Sequence, residues 1–142
     1  MATFQSLKWE DVQEGQELHK LEFPITITTQ VIDAAGTRDI NAIHHDREFA
    51  KHAGVRDIFL NTMWYEGFLG RYANEWAGPE SFLRKISFDM RGNNCPGDLI
   101  TARGKVVKKY QQEGLKLVDL DVHLDNQLGP DTVVAKMTLE LI

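Results

Sequence analysis

The 142-residue chain has one cysteine, so it can form no internal disulfide and offers no thiolate cluster for zinc or an iron–sulfur centre. Cys95 precedes Pro96 in a turn signal, which reads as a structural or incidental thiol. Basic charge is also in short supply. With 16 Lys+Arg against 21 Asp+Glu the net charge is -5, leaving no general basic surface for nucleic acid, although a local patch can still hold a phosphorylated ligand. No run approaches eighteen apolar residues, and Met1 to Glu22 mixes Lys8, Glu10, Asp11, Glu14 and Glu17 with scattered apolar positions. No membrane span or leader is expected, and the protein is expected to be soluble, unprocessed and cytoplasmic. A glycine-rich phosphate loop, a nucleophile elbow and a Cys–His pair are all missing, which disfavours acyl-enzyme chemistry.

The composition that remains, 42% hydrophobic and 26% charged, is that of a globular protein with one sizeable core. No repeat or linker interrupts residues 1–142, so a single domain is expected. Its C-terminal half is patterned as strands. Ile86, Phe88 and Met90 alternate in the run from Leu83 to Met90, and Cys95-Pro96-Gly97-Asp98 forms a turn. A second run covers Leu99 to Tyr110 and ends in the polar Gln111-Gln112-Glu113-Gly114 turn. A third places Val118, Leu120, Val122 and Leu124 on one face, and the last does the same with Val133, Ala135, Met137, Leu139 and Leu141. The N-terminal half is mixed. Phe23, Ile25, Ile27 and Thr29 alternate as one strand, after which Thr29 is expected to cap a short helix through Val31, Ile32 and Ala35 that stops at Gly36. Asp46 is placed to cap a second helix, Arg47 to Ala53, ended by Gly54. Met63, Trp64, Phe68, Leu69, Tyr72, Ala73 and Trp76 recur at helical spacing between Asn61 and Ala77, before Gly78-Pro79. One long helix between a lone strand and four antiparallel strands predicts an α+β fold with the sheet wrapped around the helix.

The densest set of ionisable and amide side chains is Thr37-Arg38-Asp39-Ile40-Asn41-Ala42-Ile43-His44-His45-Asp46, in the loop between the first two helices. In a regular helix Asp39 and His44 would lie about 140° apart around the axis, so their convergence requires a bent segment. Brought together, a carboxylate and an imidazole can share one water, one group taking its proton while the other orients it or delivers a proton. Asn41 can fix the loop or hold Asp39. Asp39 and Asn41 are equally common turn and capping residues, and His44 equally reads as a satisfied interface histidine, so the residues alone leave both readings open. His44, His45 and Asp46 do not form a metal-ligand pattern, and no structural metal is expected.

The stretch from Thr37 to Met63 resembles the signature of the MaoC-like, or type 2, enoyl-CoA hydratases of the hot-dog fold. Asp39, Asn41 and His44 fall on that signature's Asp, Asn and His, while Asp46, Phe49 and Ala50 fit the helix that follows. Cys95-Pro96-Gly97-Asp98 is similar to the family's turn between strands. Arg38 stands in place of the usual Gly, Ala42 of the usual Pro, and Asn61-Thr62 of His-Gly. With Asp57-Ile58-Phe59-Leu60-Asn61 and Trp76-Ala77-Gly78-Pro79, these departures resemble the small subunit of the bacterial hydratases that act on steroid side-chain enoyl-CoAs. The resemblance implies a single hot-dog domain. It also implies a hot-dog partner chain, either a second copy or a larger subunit in which a MaoC-like domain is fused to a zinc-and-OB-fold domain.

What the resemblance implies for chemistry is hydration of a trans-2-enoyl-CoA to the 3-hydroxyacyl-CoA, of R configuration if the family stereochemistry holds. Asp39 and His44 would be the catalytic pair, with Asn41 and Thr62 binding substrate. The N–H at Thr62, with the helix dipole behind it, would stabilise enolate charge. Arg84, Lys85, Arg103 and Lys105 are cations available to a CoA phosphate, each also readable as a solvated strand residue. Two alternatives keep the fold. One is a homodimer acting on short or medium acyl chains, and the other a non-catalytic subunit that completes a partner's acyl-CoA tunnel. A thioesterase would place its acid on the central helix, where Glu66 is the one carboxylate in the early turns.

Overall fold

The computed structural model describes residues 5–142. In chain order its elements are β1 (Leu21–Pro24), α1 (Ile27–Thr37), α2 (Arg47–His52), α3 (Thr62–Ala77), β2 (Phe82–Met90), β3 (Leu99–Gln112), β4 (Leu115–Asn126) and β5 (Gly129–Glu140). Single 3-10 turns lie at Trp9–Asp11 and Ala42–His44. The strands make one antiparallel sheet in the order β1-β3-β4-β5-β2. Its buried face carries Val118, Leu120, Val122 and Leu124 from β4 and Val133, Ala135, Met137 and Leu139 from β5. Tyr65, Phe68, Leu69, Tyr72, Ala73 and Ala77 of α3 join the same core. Burying a side chain of Leu or Phe size contributes about 1.5–3 kcal/mol, so this helix–sheet contact dominates the stabilisation of the fold. The architecture is the expected α+β hot dog.

The strands run further than alternation alone indicates. Glu113 and Gly114, with φ of 52° and 81°, form a two-residue turn that lets β3 and β4 pair out to Gln112 and Leu115. Gly78 ends α3 where a Cβ would come within 2.4 Å of the Ser6 Cα, so only glycine fits. On α3 the stripe is rotated slightly from the expected one. Met63 is exposed, Trp64 and Trp76 are half-buried, and Tyr65 is fully buried with its hydroxyl accepting from Asn94 Nδ2.

The largest difference lies in the N-terminal half. The strand ends at Pro24, and Thr26 rather than Thr29 caps α1. The Thr26 Oγ1 accepts from the Thr29 N–H while the Thr29 Oγ1 accepts from the Thr26 N–H, a reciprocal box that starts the helix early. Ile25 is withdrawn from the sheet by bonds to the Cys95–Asp98 turn, its N–H donating to the Asp98 carbonyl and its carbonyl accepting from the Gly97 N–H. At its other end α1 passes through Gly36 to Thr37, and Arg38 takes the left-handed conformation, φ 59°, that closes the helix. The helix also turns an unexpected face inward. Val31 and Ile32 are 59% and 65% exposed, whereas Gln30, Asp33 and Ala34 are buried. Asp46 does cap α2 as expected, accepting from the N–H groups of Glu48 and Phe49.

Candidate active site

The segment between α1 and α2 is shaped by side chains bonding to nearby backbone. Asn41 accepts from the Ile43 N–H through its Oδ1 at 3.1 Å and so caps the Ala42–His44 turn. The backbone N–H of Asn41, rather than its side chain, reaches Asp39, donating to Oδ1 at 3.3 Å. This tight turn replaces the helical path that would have kept Asp39 and His44 apart. The Oδ2 of Asp39 lies 3.3 Å from the Nε2 of His44. His44 is buried, and the Asp39 side chain is a little more open to solvent. His45 points elsewhere, its Nε2 lying 3.1 Å from the Ile40 carbonyl.

The proton position on His44 follows from its second contact. Its Nδ1 is 2.7 Å from the Phe59 carbonyl, which can only accept, so Nδ1 carries hydrogen. In the neutral ring, Nε2 then presents a lone pair towards the Asp39 carboxylate. Two acceptors this close need a shared proton or a water that donates to both, the arrangement a water-activating pair requires.

Behind the pair, the chain leading into α3 is tied to α1. Phe59 also accepts from Gln30 Nε2 at 2.8 Å. Two residues on, the Asn61 N–H donates to Asp33 Oδ2 at 2.9 Å and its Nδ2 donates to Thr37 Oγ1 at 2.6 Å. Asn61 caps α3 by accepting from the Trp64 N–H, which leaves the first N–H groups, those of Thr62 and Met63, without an intrahelical acceptor. Burial raises the Asp33 carboxyl above the ordinary carboxylate range, and the Asp39 charge adds to the rise. Gln30, Asp33 and the Asn61 cap did not stand out in the sequence. A Gln and an Asp three apart within a helical stretch whose apolar residues suggested another inner face were the available signal.

Thr62 is exposed at the start of α3, with its hydroxyl 3.5 Å from Met90 Sδ. It borders a cleft of about 500 Å³ lined by Glu66, Ile86, Phe88 and Met90, between α3 and strand β2. Glu66 is exposed on this cleft. Of the four cations considered for a phosphate, Arg84 pairs with Glu140, and Arg103 pairs with Asp125 and Asp131. Arg103 and Lys105 stand on the sheet face turned away from α3. Among the described residues no three His, Cys, Asp or Glu side chains gather as a metal site, and no helix is long and apolar enough to cross a membrane.

A second polar cluster secures the Cys95–Asp98 turn. Asp98 is buried and accepts from Arg56 at 2.5 Å, from the Cys95 N–H at 2.8 Å and, through its other oxygen, from Gln127 Nε2 at 2.7 Å. Burial opposes its charge, but these donors outweigh it and hold the carboxyl below its usual range. Burial pushes the Cys95 thiol up to about 11, which keeps it protonated and unreactive at neutral pH.

The model of the MaoC-like domain matches residues 11–127. The beta subunit of a 3-oxo-4,17-pregnadiene-20-carboxyl-CoA hydratase from Mycobacterium tuberculosis is 36% identical over 127 residues, covering 89% of this chain and 95% of that one. The crystal structure of the ChsH1-ChsH2 complex from the same organism contains a chain that is 31% identical, with a TM-score of 0.83 over 92% of this chain and 98% of that one. An (R)-hydratase from A. caviae involved in PHA biosynthesis superposes with a TM-score of 0.82 over 94% and 99% of the two chains at 19% identity, which shows the common fold. A sequence match over most of the chain, with the same architecture in the solved relatives, shows that this protein belongs to the MaoC-like domain family.

Proposed function

We propose that the chain is an enoyl-CoA hydratase subunit in which Asp39 and His44 activate water. The observation that carries this reading is the Asp39 Oδ2 to His44 Nε2 approach of 3.3 Å, with the opposite ring nitrogen committed to Phe59. Water bound between them adds its oxygen to the β carbon of a conjugated thioester. One of its protons passes to the pair, and a proton is delivered to the α carbon, so the two ends of the double bond gain OH and H. The free N–H groups at the start of α3, Thr62 first, and the positive end of the helix dipole suit the oxygen of an enolate. Asn41 holds the loop against which the substrate binds. Water addition transfers no electrons, so no redox cofactor takes part.

The substrate is a bulky, steroid-derived enoyl-CoA, a reading supported by the named activity of the 36% identical relative. The working enzyme includes a second hot-dog chain, in the reading a larger MaoC-like subunit. Strand β2 has no strand partner on its outer side among the described residues, and the cleft beside Thr62 opens at that edge. Ile27, Val31 and Ile32 expose apolar surface on α1, and the solved relative comes from a two-component complex. A cytoplasmic setting, where acyl-CoA thioesters are handled, accompanies this reading.

The test follows loss of enoyl-thioester absorbance with crotonyl-CoA and with a steroid side-chain enoyl-CoA, for the chain alone and with a candidate larger subunit. Hydration of the steroid thioester, dependent on the second subunit, is expected. Turnover of crotonyl-CoA alone would replace the steroid assignment with a short-chain one, and release of free thiol would identify a thioesterase.

A further inference from the structure

Among the described residues, two buried oxygens on the inner face of α1 have no hydrogen-bond partner, Gln30 Oε1 and Asp33 Oδ1. The residues are 1% and 3% exposed and lie three apart, which makes them neighbours on one helix face. The other arm of each is engaged. Gln30 Nε2 donates to the Phe59 carbonyl, and Asp33 Oδ2 accepts from the Asn61 N–H. Turning the Gln30 amide over would set its oxygen against the carbonyl oxygen of Phe59, so its orientation is dictated by that neighbour. Leaving a buried acceptor unpaired is unfavourable, and here there are two. A single proton shared between the two oxygens would satisfy both. An amide oxygen can only accept, so the carboxyl has to carry that proton.

We propose that Asp33 is a positioning residue of the hydration site, protonated at neutral pH and donating from Oδ1 to Gln30 Oε1. The resulting chain of bonds runs from the Asn61 N–H through Asp33 and Gln30 to the Phe59 carbonyl, and from there to His44 Nδ1. One end sets the start of α3, where the enolate oxygen is read to sit. The other holds the ring tautomer that aims a lone pair at Asp39. The titratable groups facing Asp33 are His44 from the 3-10 turn, Asp39 from the loop and the Tyr65 phenol from α3. Of these, Asp39 opposes a second negative charge and a protonated His44 would favour one. With Asp33 neutral, His44 confronts the single carboxylate of Asp39. The catalytic consequence rests on the hydratase reading, whereas the proton on Asp33 belongs to the folded chain itself.

Infrared difference spectroscopy on the whole protein reads that proton directly. At pH 7 a protonated-carboxyl carbonyl band is expected in wild type and not in Asp33→Asn. Its absence from wild type would overturn the proposal, and because no substrate is used, a failure of the hydratase reading leaves this result standing. In the hydration assay Asp33→Asn replaces O–H by N–H and keeps the Asn61 contact, so kcat is expected within about threefold of wild type. Asp33→Ala removes both bonds and is expected to lower kcat by about tenfold or more with KM little changed. An Asn variant as impaired as the Ala variant, or an Ala variant with wild-type kcat, would overturn the positioning role.

Discussion

The sheet and the segment from Ile25 to Asn61 are held by different kinds of bond. In β2 to β5 the backbone pairs with itself along long antiparallel ladders, and the side chains are left to fill the core. Between Ile25 and Asn61 much of the joining is done by single side chains on backbone groups: Thr26 on Thr29, Asn41 on Ile43, Asp46 on Glu48 and Phe49, Gln30 and His44 on Phe59, and Asp33 on Asn61. A ladder tolerates the loss of one member because its neighbours maintain register. A side-chain tie is lost entirely with its residue. The difference teaches where function and stability separate, since site geometry hangs on few atoms and the fold on many.

The sharpest way to test this division is to remove a tie that the proposed function assigns to the chemistry. His44→Ala and Asp39→Asn are expected to lower hydration by about 10²–10⁴-fold, measured by loss of enoyl-thioester absorbance, with melting temperature little altered. A large fall in melting temperature would erase the separation. Leu139→Ala in β5 is the converse, because it opens a cavity between β2, β4 and α3. It is expected to cost about 2–5 kcal/mol in chemical denaturation while the folded fraction keeps its activity. Arg56→Ala removes the charged donor among the three that hold the buried Asp98 carboxylate and is expected to cost about 1–3 kcal/mol by the same measurement.

Two buried aspartates, Asp33 in the segment from Ile25 to Asn61 and Asp98 in the turn that leads into β3, are expected to respond to pH in opposite directions. Asp98 has a depressed pKa in the fold, so its contribution is present above the ordinary carboxylate value and is lost as pH falls through the folded value. Asp33 has a raised one, so the native state binds more protons and stability falls as pH climbs from the ordinary value through the raised one. Denaturation across pH should show Asp33→Asn gaining on wild type as pH rises and Asp98→Asn gaining on it as pH falls. Arg38→Gly should have the smallest effect, raising stability by about 0.5–1 kcal/mol, since Arg38 holds a left-handed φ of 59° that glycine adopts without strain.

How far the chain could be read before folding follows the same boundary. Alternation identified all four long strands, and helical spacing identified α3, because each element buries one regular face. The Asp46 cap of α2 was legible from a local motif. The start of α1 was misplaced because the apolar alternation of Phe23, Ile25 and Ile27 outweighed a Thr–Thr capping box, a weaker signal than the usual Ser/Thr with Glu. The inward face of α1 was not legible, since its buried positions are Gln30 and Asp33, whose partners lie about thirty residues away. Asp39, Asn41 and His44 were visible as a cluster and by resemblance, but nothing local stated that they meet.

By itself the sequence determined which faces of the long strands and of α3 are apolar, and therefore that a sheet would close over one helix. Burial of those stripes is a property of residue spacing along each element and needs no knowledge of distant partners. Only the tertiary structure decided that the Phe59 carbonyl would meet His44 Nδ1, that Asn61 would lean on Asp33, and that His44 Nε2 would come to face Asp39. Those contacts are directional, and a hydrogen bond between residues far apart in the chain exists only after the core has brought their backbones within reach.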